Sequence, residues 1–74
     1  MVSSVSEEIK IILNGESQVQ KAGCSLTELV KQLGLENSRY AIEVNEEIIP
    51  RGEHTSTFLN AGDKVEVVQA IGGG

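Results

Sequence analysis

Apolar and polar residues alternate along Glu8-Ile9-Lys10-Ile11-Ile12-Leu13, which places Ile9, Ile11 and Leu13 on one face of an extended segment. A strand is predicted there. Asn14-Gly15 follows it, and both residue types accept the positive φ of a tight primed turn, so the chain is expected to fold back as a hairpin. A second strand around residues 17–21 then runs antiparallel to the first, with Val19 turned inward. After Gly23 the period changes. Ser25-Leu26-Thr27-Glu28 has the spacing of a capping box, and Leu26, Leu29, Val30 and Leu33 fall at i, i+3, i+4 and i+7, one stripe of a helix. Gly34 stands where a left-handed residue closes a helix.

Period two returns at Tyr40-Ala41-Ile42-Glu43-Val44, with Tyr40, Ile42 and Val44 sharing a face. Asn45-Glu46-Glu47 turns the chain, Ile48-Ile49 gives a short return strand, and Pro50 ends it because proline has no N–H for a ladder. Residues 51–63 are mainly connection, with a short helical turn expected from His54 to Leu59 that seats Phe58 or Leu59 on the core. Ala61-Gly62-Asp63 is a turn, and Lys64 to Ile71 is the last strand, with Val65, Val67 and Ile71 inward. Strands, one helix, then strands predict an α+β roll in which a single helix lies across a mixed sheet of four to five strands. The organisation read from this pattern is a flexible arm over 1–7, one domain over 8–71, and a glycine tail over 72–74.

With 74 residues the chain makes one small domain, too small for a deep cleft of its own. The single Cys24 allows no internal disulfide, and with the single His54 it falls short of a structural zinc site. A reducing, cytoplasmic setting is expected. The net charge of −5 disfavours nucleic acid and anionic membranes and favours a basic groove on another protein. Residues 1–7 lack the charge and apolar run of a signal peptide, and no stretch reaches the length of a transmembrane helix. Cys24 reads as a small structural residue in a turn. His54, with Arg51 and Glu53, reads as part of a solvated loop. Glu43, Glu46, Glu47, Glu53 and Glu66 read as soluble surface, or as charges steering the chain toward a basic partner.

The sequence offers no Ser/His/Asp set and no paired carboxylates for catalysis. Its distinctive chemistry is at the end, Ala70-Ile71-Gly72-Gly73-Gly74, where glycines without Cβ can enter a channel too narrow for other residues. Three extended residues span roughly 10 Å, enough to carry the Gly74 carboxylate from the folded body into another protein's active site.

These features together resemble one family. The hairpin Leu13-Asn14-Gly15, the helix from Leu26 to Leu33 closed by Gly34-Leu35, Val44-Asn45 leading to Ile49-Pro50-Arg51, Ala61-Gly62-Asp63-Lys64-Val65 and the terminal Gly73-Gly74 are similar to those of the ThiS family, the ubiquitin-like β-grasp sulfur carriers of thiamine thiazole biosynthesis. The resemblance covers residues 8–74 and departs from the pattern in the polar arm before Glu8 and in the third glycine, Gly72. It implies a carrier rather than an enzyme. Gly74 would be adenylated by a ThiF-like adenylyltransferase using ATP and Mg²⁺, and sulfur from a cysteine desulfurase route would replace AMP to give a thiocarboxylate. A ThiG-like thiazole synthase would then take that sulfur, with Gly72 and Gly73 threading the partner's active site. The resemblance also implies that the first and last strands lie side by side, which turns Ile12 and Val68, with Ala70 beyond, away from the helix as a docking patch. A MoaD-type small subunit of molybdopterin synthase and a ubiquitin-like modifier or adaptor are the alternatives left open by the sequence.

Overall fold

Asn14 and Gly15 adopt φ of 50° and 85°, the paired positive values of a type I′ turn, and join strand β1 (Glu8–Leu13) to β2 (Glu16–Lys21). A two-residue loop fixes the register: Leu13 faces Glu16, Ile11 faces Gln18 and Ile9 faces Gln20. Residues directly opposite one another point to the same side of a sheet. Since Ile11 and Leu13 are buried, the even-numbered positions of β2 turn inward, and Gln20 is buried while Val19 stands half exposed opposite Lys10. The expectation of an inward Val19 is thus overturned by the turn geometry. The computed structural model describes residues 7–69.

Helix α1 (Leu26–Gln32) begins as its sequence predicts: Glu28 N–H donates to Ser25 Oγ at 3.2 Å, and Ser25 N–H donates to Glu28 Oε1 at 3.1 Å. Gly34, at φ 75°, ends it with paired bonds from Gly34 N–H to Lys31 O and from Leu35 N–H to Val30 O. These are the two bonds of a Schellman closure. The reversal brings Leu35 back against the core and leaves Leu33, the expected last member of the stripe, 38% exposed.

Strand β3 (Tyr40–Val44) pairs with the two-residue β4 (Glu47–Ile48) through Asn45 and Glu46, both at positive φ. The last strand, β5 (Lys64–Gln69), enters the middle of the sheet, whose order is β2-β1-β5-β3-β4. It is parallel to β1 and antiparallel to β3. The inward faces of β1, β3 and β5 supply Ile11, Leu13, Ile42, Val65 and Val67, which form one buried cluster with Leu26, Leu29 and Val30 of α1. A helix laid across a mixed sheet of five strands is the fold expected from the pattern.

The long connection differs from its sequence reading. Its helical turn lies at Arg51–Glu53, directly after Pro50, and Leu59 is buried while Phe58 is half exposed. His54 is not solvated. The turn folds its ring under the chain, 3% exposed, stacked on Tyr40 at 5.8 Å between centroids, with Nε2 2.9 Å from Ile49 O. The carbonyl can only accept, so Nε2 bears the proton and donates. Arg51 places its guanidinium carbon 4.3 Å from the centroid of the same tyrosine ring.

Candidate functional site at the end of the last strand

Strand β5 is held on both flanks. On the β3 side the register runs from Val44 opposite Val65 to Tyr40 opposite Gln69. On the β1 side backbone pairing is shorter, with Ile12 N–H donating to Asp63 O at 2.8 Å and Asn14 N–H to Val65 O at 2.9 Å. There β1 turns away. The side chain of Asn14 takes over: Val67 N–H donates to its Oδ1 at 2.9 Å, and its Nδ2 donates to Val67 O at 3.4 Å. An amide has the same donor and acceptor as a peptide unit, so Asn14 adds a rung to the ladder after the backbone has left it.

The other hairpin asparagine holds the opposite end of β5. Asn45 accepts from Lys64 N–H at 3.0 Å and donates to Asp63 Oδ1 at 3.1 Å, while Asp63 Oδ2 accepts from Asn60 N–H at 2.8 Å. Each of these residues can be identified from sequence as a turn former. Their reach to β5 depends on the strand order, which brings residue 14 to residue 67. Near the far end of the strand Gln69 Nε2 donates to Ser38 Oγ at 3.3 Å. Gln69 is the last described residue, and Ala70, Ile71, Gly72, Gly73 and Gly74 lie outside the described residues.

The sheet face turned away from α1 carries Ile12, Val19, Ile48 and Val68, at 38%, 52%, 67% and 60% exposure. Ile12 and Val68 both face outward, as expected from strands lying side by side. They are not neighbours. Ile12 is level with Lys64, four positions before Val68, an offset of about 13 Å along the strand. Glu66 lies between them along the strand, and it stands directly opposite Glu43 on the same face. Like charges so placed repel each other. Val68 stands beside Ala41, next to the start of the tail, and Ile12 belongs with Val19 on the β1–β2 half.

Cys24 is distant from this end of the sheet. It is buried, with Sγ 3.4 Å from Ser25 O and 3.8 Å from Gln20 Oε1. Burial, and secondarily the charge of Glu28, raises its pKa above the ordinary value. An open groove of about 650 Å³ runs past it between β2 and α1, lined by Lys21, Glu28, Lys31 and Gln32 among others. Among the described residues no three His, Cys, Asp or Glu side chains converge as a cation site, and no helix is long and apolar enough to cross a membrane.

The sequence profile of the ThiS family matches residues 6–74. The crystal structure of the thiamine biosynthesis protein ThiS from Geobacter metallireducens superposes with a TM-score of 0.75 at 26% identity, over 89% of this chain and all of that one. The sulfur carrier protein ThiS of Escherichia coli is 29% identical over 66 residues, 89% of this chain and 100% of its own length. A thiazole synthase of Paramagnetospirillum magneticum is 36% identical over 66 residues, 89% of this chain, and the chain spans only 20% of that protein. A mixed sheet crossed by one helix, a central last strand leading to a glycine end, and a profile match reaching that end place this chain in the ThiS family of ubiquitin-like sulfur carriers.

Proposed function

We propose that this chain carries sulfur as a thiocarboxylate on Gly74 and donates it to formation of the thiazole of thiamine. The observation that supports this most is the placement of β5 in the middle of the sheet, so that residues 70–74 follow in sequence from a strand inserted between β1 and β3. A carboxylate is a poor electrophile and needs activation. The Gly74 carboxylate attacks the α-phosphorus of ATP on a ThiF-like adenylyltransferase, with Mg²⁺, and releases pyrophosphate. The terminal sulfur of a persulfide from a cysteine desulfurase route then attacks the acyl carbon and displaces AMP, and a thiol reduces the resulting acyl disulfide to the thiocarboxylate. A ThiG-like thiazole synthase takes the sulfur. Relatives named thiazole synthase that contain a segment like this chain support a partner of that kind. Val68 and Ala41, opposite one another near the last described residue of β5, supply an apolar contact, and the facing Glu43–Glu66 pair suits a basic partner surface.

The test is intact-protein mass spectrometry after incubation with a ThiF-like enzyme, ATP, Mg²⁺ and a sulfur source. The native chain should gain the mass of one oxygen replaced by sulfur. Deleting Gly74 leaves a glycine carboxylate of the same kind but withdraws it by roughly 3.5 Å. Misplacement of about 1 Å can cost on the order of a hundredfold in rate. The truncated chain should therefore melt like the native one and scarcely exchange pyrophosphate into ATP. Equal exchange by both chains would remove Gly74 as the reactive residue.

A further inference from the structure

We propose that Asn14 is a positioning residue for activation of the tail: its side-chain amide fixes the direction in which β5 delivers residues 70–74. This rests on the carrier reading above. Backbone pairing of β5 with β1 stops at Val65, so among the described residues Glu66 to Gln69 have strand partners only on the β3 side. A strand held on one flank can swing about that flank. Asn14 supplies the missing constraint at Val67, with bonds to both its N–H and its C=O across 53 positions of sequence. Val67 is two positions before Gln69, the last described residue of β5. A displacement of Val67 moves the point from which residues 70–74 set out. Asn14 is itself solvent-exposed, so its bonds contribute little net stability beside those of the buried core. Their effect is on where the chain end points.

The turn allows a clean variant. Asn14 sits at φ 50°, which glycine adopts without strain, so Asn14→Gly deletes the amide and keeps the hairpin. Asn14→Asp keeps an acceptor for Val67 N–H but presents an oxygen where Nδ2 met Val67 O. Two readouts are combined: amide hydrogen exchange of the free chain, and steady-state ATP–pyrophosphate exchange with the activating enzyme. Asn14→Gly should speed exchange at Val67 while the amides of Ile11 and Ile42 keep their native rates. Its kcat should fall about tenfold at unchanged KM, since docking is intact and only the reach of the carboxylate is disturbed. Asn14→Asp should fall between glycine and the native residue.

A native kcat in Asn14→Gly overturns the positioning role and leaves the carrier reading standing. So does a fall in kcat accompanied by faster exchange throughout the core, which marks general destabilisation. Absence of pyrophosphate exchange with the native chain itself, while Val67 exchange still responds to Asn14, overturns the carrier reading and the positioning role with it.

Discussion

Leu29 shows how much of a small domain rests on one side chain. It lies mid-helix with no exposed surface, among Ile11, Ile42 and Val65. Truncation of a buried leucine to alanine costs about 2–5 kcal/mol, a large share of the roughly 5–15 kcal/mol that holds a domain together. Leu29→Ala should therefore lower the melting temperature sharply or leave the chain unfolded at room temperature, as read by circular dichroism. Cys24 acts through ionisation. Its folded pKa is raised by burial and by Glu28 above the ordinary 9.0 of a free thiol. The unfolded chain thus loses its thiol proton at a lower pH than the folded one does. Well below the ordinary thiol pKa the group is neutral in both states and its contribution is fully present; as pH rises through that value toward the raised one, the unfolded state is favoured and stability falls. Thermal melts across that range should show a shallower alkaline decline for Cys24→Ala than for the native chain.

The two hairpins differ at one telling position. In the first, the second turn residue is Gly15 at φ 85°; in the second it is Glu46 at φ 72°. A residue with Cβ in the left-handed region is disfavoured by roughly 1–2 kcal/mol, whereas glycine loses about 0.5–1 kcal/mol in chain entropy relative to alanine. Glu46→Gly should raise the melting temperature by a few degrees without moving the Asn45 bonds to Lys64 and Asp63 that anchor β5. The helix needs no such correction, since both capping-box bonds and both closing bonds are formed.

The whole molecule divides its sheet between two tasks. The inward face builds the core with α1, and the outward face is polar except for Ile12 and Val19 on one half and Ile48, Ala41 and Val68 on the other. Of these, Val68 and Ala41 stand nearest Gln69, the last described residue of β5. Val68→Asp should leave the melting temperature close to native, because the position is 60% exposed, and should weaken binding to the proposed activating enzyme or thiazole synthase by burying an unpaired charge in the contact. Titration by calorimetry against each partner checks it. Native affinity for both would make this face ordinary surface. A matching change at Ile12, on the other half of the sheet, should affect binding less.

Elements whose causes are local can be read from the residues alone. Alternation set the faces of β1, β3 and β5, the Ser25–Glu28 spacing started α1, and Gly34 closed it, because each depends on residues within a turn or two of one another. The residues also supply the resemblance that leads to the functional reading, through the order of those elements and the glycine end. Tertiary structure decided whatever depended on distant partners. Val19, the obvious core candidate of β2, faces outward because a two-residue turn ties that strand's parity to Leu13, and Gln20 takes the buried place. His54 is buried because the turn after Pro50 brings it onto Tyr40, a contact no local pattern announces. Ile12 and Val68 share a face yet stand apart, since β1 and β5 run parallel with Ile12 level with Lys64. Asn14 is locally a turn residue; only insertion of β5 beside β1 gives its side-chain amide a partner at Val67.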